Sequence, residues 1–224
     1  MEKIFYEVLN EELTPIKFYK GENFTPVWIQ AYWTEGEFSN RINSNGCGHV
    51  CSAMALNLNG VKITPYEFYM HCRELFGAPT GEDTPPRQSH FLSASGVQKA
   101  ITSYGVKAEL VKICKNGEKQ AIETIINALK QDKEVIMWSH PSEEFIDNPF
   151  STGEHWILLI GLTEDGKVIV ANSSIKAKYE KDMGVQIVGK ETVRKALYGN
   201  DDFIDMTWGE LDNLYKNTGF VIVG

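Results

Sequence analysis

The sequence lacks several features that would assign it to common functional classes. It contains no apolar run of the roughly 20 residues that a membrane-spanning helix needs, so we expect no membrane span. Its 22 Lys and Arg residues are outnumbered by 30 Asp and Glu, and no basic cluster is present. The net charge of −8 makes nucleic acid a poor partner, because binding a phosphate backbone depends on clustered cations.

The first residues also lack the charged start and apolar core of a signal peptide. This favours a cytoplasmic location, or an exported protein from which a signal has been removed. The four cysteines, Cys47, Cys51, Cys72 and Cys114, are interpreted as thiols, since a chain of this length without a signal peptide does not need disulfides.

Sequence fingerprints for cofactors are missing as well. There is no glycine-rich phosphate loop and no dinucleotide-binding motif, so we expect no cofactor. Zinc is a minor alternative, because Cys47, His49 and Cys51 lie close together. No second cysteine or histidine pair completes a tetrahedral set of ligands, and we therefore expect no metal.

The residues that are present predict a single α+β domain over residues 1–224. Apolar residues make up 42% of the chain, enough for one core. Helix patterns dominate early and β-rich runs dominate late, which favours helices packed on one side of an antiparallel sheet. The patterns predict helices over 47–58, 64–77, 95–104 and 119–131, a helix opening at Thr207, and strands over 24–30, 106–113, 134–139, 155–162, 167–171 and 220–223.

The segment around Cys47 is the strongest candidate for chemistry. Ser44 and Asn45 are typical helix-capping residues, so Cys47 is predicted in the first turn of a helix. Unpaired amides and the helix dipole at this position favour the thiolate, which is the nucleophilic form, and we expect Cys47 to be the most reactive thiol. The flanking glycines Gly46 and Gly48 would admit a substrate backbone. A small buried residue at a helix start is the plain alternative.

A nucleophilic thiol needs a base, and His155 is the best candidate. It opens the apolar strand His155-Trp156-Ile157-Leu158, whose end can present a ring to a cleft. His140, at the end of the preceding strand, is the alternative. The other three, His49, His71 and His90, are less well placed: the first points away from Cys47 on the helix, the second is in an amphipathic helix and the third is in a long loop.

A hairpin predicts the partner of the histidine. Asp165-Gly166 is a strong turn signal, and the strand that follows it ends at Asn172. Antiparallel pairing then brings Asn172 close to His155. An asparagine side-chain oxygen can hold the imidazole in the tautomer and orientation that a base needs, although asparagine here is also a plain turn former.

An oxyanion formed during acyl transfer needs hydrogen-bond donors. The backbone amide of Cys47 supplies one. Gln30, which follows the aromatic run Val27-Trp28-Ile29, is the side-chain candidate, and a surface glutamine is its plain alternative.

Taken together, these motifs resemble the papain-like cysteine peptidases. Within them the sequence is similar to bacterial peptidases related to the bacteriocin-processing, double-glycine-leader enzymes, family thirty-nine of the cysteine peptidases. The matching motifs are Val27-Trp28-Ile29-Gln30, Asn45-Gly46-Cys47-Gly48, Ile63-Thr64-Pro65, Gly153-Glu154-His155-Trp156 and Gly219-Phe220-Val221-Ile222. The resemblance implies a papain-like fold in which Gln30, Cys47, His155 and Asn172 act as oxyanion donor, nucleophile, base and orienting residue.

Three positions depart from the family pattern. His49 stands where the family usually has proline, Cys51 where it tends to have serine or threonine, and Asn172-Ser173 where an aspartate is often followed by proline. Asparagine still serves papain-like sites, so the resemblance continues to imply activity.

These observations favour a thiol hydrolase that cleaves peptide or isopeptide bonds through an acyl-enzyme on Cys47. Its substrates would be peptides or proteins, including leader peptides and cell-wall peptides. Two alternatives use the same scaffold: an inactive papain-like binding module, and an acyl or peptidyl transferase in which an amine replaces water. The substrate and the oligomeric state are left open by the sequence.

Overall fold

The structure is a computed structural model that describes residues 17–28, 36, 42, 45–76, 93–140, 149–151, 153–174, 184–197 and 219–224. Over these ranges the helices are α1 (Cys47–Leu58), α2 (Pro65–Leu75), α3 (Ala94–Thr102), α4 (Glu118–Lys130) and α5 (Lys190–Ala196). The strands are β1 (Lys17–Lys20), β2 (Asn23–Pro26), β3 (Ala108–Lys112), β4 (Glu134–Ser139), β5 (His155–Leu162), β6 (Val168–Ala171), β7 (Val185–Val188) and β8 (Gly219–Val223).

A six-stranded sheet in the order β3-β8-β4-β5-β6-β7 forms the centre of the fold. Every neighbouring pair in it is antiparallel. Strands β1 and β2 pair as a separate two-stranded sheet. The predicted α+β class, with helices packed on an antiparallel sheet as in papain-like peptidases, is confirmed.

Both faces of the central sheet are covered by helices, which corrects the prediction of one covered side. One face packs against α1, α2 and α3 through residues such as Trp156 and Leu158. The other packs against α4 and α5 through residues such as Ile157 and Leu159. The physical reason is visible in β5, where the five successive residues from Trp156 to Ile160, which alternate between the two faces, are all apolar and buried. A half-solvated strand would instead alternate apolar with polar residues.

Helix α1 has the predicted bounds and carries Cys47 as its first residue. Its N-cap is Gly46, without a side-chain hydrogen bond, so the predicted capping by Asn45 is wrong, and Ser44 lies outside the described residues. The helix ends as predicted at Leu58, with Asn59 as its C-cap, and Gly60 follows with φ +86°. A residue in this left-handed region ends a helix, and glycine adopts it without strain.

The other predicted elements agree to within a few residues. The capping box between Thr64 and Glu67 at the start of α2 is confirmed. Helix α3 starts slightly earlier than predicted because Ser93, whose hydroxyl accepts from the Gly96 amide at 3.0 Å, is the cap. Strands β1 and β7 and helix α5 were not predicted. The predicted helix at Thr207 lies outside the described residues.

The hairpin between β5 and β6 is confirmed. Gly166, with φ +78°, donates to the Thr163 carbonyl at 2.9 Å, and Thr163 donates to the Lys167 carbonyl at 2.8 Å. The ladder that follows runs to the pair Leu158–Ala171 and contains a bulge between Leu159 and Gly161. This turn sets which residues beyond Ala171 lie beside the start of β5.

A polar network ties the β1–β2 hairpin to the rest of the fold. Lys20 Nζ lies 3.0 Å from Glu134 Oε2 and 3.2 Å from Asn59 Oδ1, and Asn59 Nδ2 donates to Glu134 Oε2 at 2.7 Å. The Glu134 carboxylate is 1% exposed, so these partners replace the water it has lost. Among the described helices, none combines the length and apolar character needed to cross a membrane.

Candidate active site

Cys47 lies where the first turn of α1 meets the start of β5. Its sulfur accepts hydrogen bonds from the backbone amides of Trp156, Gly48 and Cys47 itself. No side chain caps this helix, and two amides of its first turn, those of Cys47 and Gly48, have the sulfur as an acceptor. The amide of Trp156 comes from the residue next to His155, so the helix start and the histidine strand meet at this sulfur.

Gly46 allows the tight approach of α1 to the preceding residues. A Cβ at this position would lie 2.4 Å from the Ile42 carbonyl oxygen and 2.6 Å from the Ile42 Cα. Every other amino acid would therefore clash with backbone. The sequence suggests that Gly46 admits a substrate backbone, whereas the structure shows that glycine is needed here to avoid a clash with Ile42.

The electrostatics of Cys47 differ from the sequence-based expectation. Burial of the thiol raises its pKa, and the hydrogen bonds from the Trp156, Gly48 and Cys47 amides only partly offset this effect. The expected preference for thiolate is therefore wrong for the resting site, because desolvation of the charged sulfur outweighs the helix start. With its pKa raised above the ordinary value, the sulfur keeps its proton at neutral pH.

His155 and Asn172 form the predicted hydrogen bond. Nε2 of His155 lies 3.0 Å from Oδ1 of Asn172, and both residues are buried, with 4% and 3% of their surface exposed. With Oδ1 as the acceptor, Nε2 carries the proton and Nδ1 is the ring atom able to accept one. The contact follows from the hairpin, which brings the residue after β6 beside the first residue of β5.

The side chain of Asn172 is itself held by three further hydrogen bonds. Its Nδ2 donates to the Phe150 carbonyl at 2.9 Å and to Gln186 Oε1 at 3.0 Å, and its Oδ1 accepts from the Ser174 amide at 2.9 Å. The two donor contacts determine which end of the amide is oxygen, so Oδ1 must face the histidine ring. Gln186 was missed by the sequence analysis because the short strand β7, which carries it, was also missed.

The remaining candidates have other surroundings. His140 Nε2 lies 3.1 Å from Glu154 Oε1, which makes an ion pair when the ring is protonated. His49 is fully buried and packs edge-on against Tyr69, and His71 Nε2 lies 2.7 Å from the Ser103 hydroxyl. His90 and Gln30 lie outside the described residues, so the role of Gln30 stays a prediction. The hydrogen bond between Cys47 and His155 also stays a prediction.

The thiols differ in exposure. Cys47 is partly exposed, Cys51 and Cys72 are buried, Cys114 is exposed, and all four are free. Over the described residues, no group of three or more His, Cys, Asp or Glu side chains is arranged to hold a metal ion. The site therefore combines one partly exposed thiol, one oriented imidazole and amides near the sulfur, which are groups that acyl transfer to sulfur needs.

Comparison with solved structures gives distant likenesses. A candidate C39-like peptidase from Bacillus anthracis is 14% identical, with a TM-score of 0.49, over 81% of this chain and 89% of the other. A double glycine motif protease from an AMS/PCAT transporter, solved in complex with the leader peptide, is 13% identical, with a TM-score of 0.41, over 79% and 82%. UfSP from C. elegans is 7% identical, with a TM-score of 0.43, over 94% of this chain and 32% of the other.

Among curated proteins, no sequence matches this chain. The sequence profile of the Peptidase C39-like family, in contrast, matches residues 26–200. That range includes the start of α1, the His155 strand and Asn172, and it makes up most of the chain. The protein therefore belongs to the Peptidase C39-like family, a family of cysteine peptidases.

Proposed function

We propose that the protein is a cysteine peptidase that cleaves peptide or isopeptide bonds with Cys47 as nucleophile, His155 as general base and acid, and Asn172 as the residue that orients His155. The observation that carries the proposal is the 3.0 Å hydrogen bond between His155 Nε2 and Asn172 Oδ1. It supports the base role because it leaves Nδ1 as the proton acceptor, at the same end of β5 where the Trp156 amide contacts Cys47.

In the first half of the reaction, Nδ1 of His155 takes the proton of the Cys47 thiol as the sulfur attacks the substrate carbonyl carbon. The carbonyl oxygen becomes an oxyanion, to which the Cys47 amide and Gln30 donate. The carbon–nitrogen bond then breaks, the imidazolium gives its proton to the leaving amine, and a thioester with Cys47 remains.

In the second half, His155 removes a proton from water as the water oxygen attacks the thioester carbon. The carbon–sulfur bond breaks, the acid product leaves, and the sulfur regains a proton from His155. The raised pKa of Cys47 supports this sequence over one that starts from a permanent thiolate, because the thiol proton must be removed in each turnover.

A peptide-library digestion tests the proposal. Wild type, Cys47→Ala and His155→Ala would be incubated with the library, and the products would be identified by mass spectrometry. Matched controls are Cys72→Ala, which removes a buried thiol from α2, and His71→Ala, which removes a histidine that contacts Ser103. We expect cleavage by wild type and both controls, and losses of about 10²-fold or more in the other two variants.

Two results would contradict the proposal. Cleavage that survives Cys47→Ala would exclude the thiol as nucleophile. An absence of cleavage together with saturable peptide binding would favour an inactive binding module. Addition of a primary amine separates hydrolysis from transfer, since a transferase would form an amide product in place of the free acid.

A further inference from the structure

Cys51 lies one helical turn after Cys47, at a position the proposed reaction does not use. It is fully buried, so substrate cannot reach it. Its Sγ donates to the Trp156 carbonyl at 3.4 Å, and the Ser173 side chain hydrogen-bonds to its sulfur. It therefore contacts the residue after His155 and the residue after Asn172.

The two cysteines together bind both polar groups of one backbone residue. Cys47 accepts from the Trp156 amide, and Cys51 donates to the Trp156 carbonyl. The ladder between β5 and β6 ends at the pair Leu158–Ala171, and its register, continued by two residues, would set Trp156 opposite Ser173. Beyond the end of that ladder, the thiols of Cys47 and Cys51 bind the Trp156 amide and carbonyl, which a partner strand would otherwise bind.

We propose that Cys51 is a positioning residue that fixes the first turn of α1, and with it Cys47, against the start of β5. The inference rests on the proposed function for its catalytic consequence. Through the Trp156 carbonyl and the Ser173 hydroxyl, Cys51 links the three segments that carry Cys47, His155 and Asn172. Small displacements among reacting groups are costly, since about 1 Å can lower a rate by about 100-fold.

The thiol of Cys51 is suited to this role because it stays protonated. Burial raises its pKa well above the ordinary value, and the nearby Cys47 sulfur raises it further. The Cys51 S–H donor to Trp156 is therefore present over the whole range in which a peptidase would work.

Cys72 provides the control that separates positioning from simple packing. It is also fully buried and belongs to the same apolar cluster on the α1 face of the sheet. Its pKa is raised by burial, with no hydrogen bond contributing to the shift. Cys72→Ala therefore removes the same atoms as Cys51→Ala from the same core without touching the residues beside His155 and Asn172.

The first experiment compares kcat and KM for Cys51→Ala, Cys51→Ser, Ser173→Ala and Cys72→Ala. We expect Cys51→Ala to lower kcat about tenfold with little change in KM, and Ser173→Ala to have a smaller effect in the same direction. Cys51→Ser, which keeps a donor for the Trp156 carbonyl, should restore most of kcat. Cys72→Ala should keep the wild-type kcat while losing stability to a similar extent as Cys51→Ala.

The second experiment needs no substrate. The rate at which iodoacetamide labels Cys47 would be measured against pH by mass spectrometry. Because the Trp156 amide lowers the pKa of Cys47, loosening that contact should move the labelling profile of Cys51→Ala upward in pH, slowing labelling at neutral pH about threefold.

The inference would be overturned if Cys51→Ala and Cys72→Ala had the same kcat and the same pH profile of Cys47 labelling. A downward shift of the labelling profile would overturn it as well, because it would indicate entry of water in place of a lost contact. If His155→Ala turns over like wild type, the proposed function fails, and Cys51 is then judged by the labelling profile alone.

Discussion

At the scale of single residues, Cys47 is governed by two opposing effects. Removal from water raises its pKa, whereas the amides of Trp156, Gly48 and Cys47 lower it, and the first effect is the larger. The same amides that moderate the resting pKa can donate to an anion formed beside the sulfur. In the proposed mechanism, the Cys47 sulfur therefore stays neutral until His155 removes its proton.

This balance leads to an expectation about thiol labelling. A small alkylating reagent near neutral pH should modify Cys114 before Cys47, because Cys114 is exposed and Cys47 is partly covered with a raised pKa. Labelling of Cys47 should accelerate as pH rises through its pKa. A peptide electrophile that binds beside Cys47 should reverse the order. Site-resolved mass spectrometry measures both orders, and equal labelling by the two reagents would contradict the expectation.

Asn172 and Gln186 should affect turnover less than His155 does. In the proposed mechanism Asn172 orients the His155 ring and transfers no proton, so Asn172→Ala should retain at least about tenfold more kcat than His155→Ala. Gln186 fixes Asn172 through one hydrogen bond, so Gln186→Ala should cost about fivefold. Gln98→Ala is the control, since Gln98 binds the Ala108 carbonyl between α3 and β3. Wild-type turnover in Asn172→Ala would show that another residue orients His155.

At the scale of elements, the β1–β2 hairpin is attached to α1 and β4 by a charged contact. Lys20 reaches both the Asn59 side chain and the buried Glu134 carboxylate. Asn59 follows the last residue of α1 and Glu134 opens β4. The contact therefore joins three elements at the end of α1 opposite Cys47.

Removing this lysine should destabilise the fold. Lys20→Met leaves the Glu134 carboxylate buried with Asn59 as its remaining partner in the network, at a cost of about 2–4 kcal/mol in the free energy of unfolding. The double variant Lys20→Met with Glu134→Leu should recover much of that loss, because the buried charge is then gone. Urea denaturation measures both. Equal stability of Lys20→Met and wild type would mean that the ion pair contributes nothing.

At the scale of the whole molecule, the buried thiols make stability depend on alkaline pH. The pKa values of Cys51 and Cys72 are raised well above 9.0, mainly by burial. A folded-state pKa above the unfolded value means that the folded chain holds the thiol proton up to a higher pH. The contribution of these thiols to stability is therefore fully present below the unfolded pKa, and it is lost as pH rises through the folded pKa.

We expect the free energy of unfolding to fall above about pH 8.5, by at most about 1.4 kcal/mol per pH unit for each of these thiols. Cys72→Ala should reduce that slope, whereas Cys114→Ala, which removes the exposed thiol, should leave it unchanged. Urea titrations under reducing conditions from about pH 7 to about pH 10 provide the measurement. A slope that is the same in Cys72→Ala and wild type would contradict the assignment.

We also propose that the chain unfolds as one domain. Both apolar clusters pack on the same sheet, one on each face, so neither can be lost without exposing the other. Circular dichroism in the far and near ultraviolet should give coincident transitions. Two separated transitions would indicate independent units.

The sequence alone determined those features that depend on local patterns. The end of α1 follows from the Asn59-Gly60 stop, and the hairpin follows from Asp165-Gly166, because a turn or a cap acts within a few residues. That hairpin was enough to predict the contact between His155 and Asn172, and the motifs around them were enough to predict the family.

Only the tertiary structure decided the features that depend on distant neighbours. The direction of the Cys47 pKa shift results from the removal of its sulfur from water where α1 packs against β5, which no local pattern encodes. Likewise, the contacts of Gln186 with Asn172 and of Cys51 with Trp156 depend on how β7 and α1 pack beside the ends of β5 and β6. Burial and contacts across the sheet are properties of the folded chain as a whole. They determine the pKa of Cys47, which therefore cannot be predicted from local sequence.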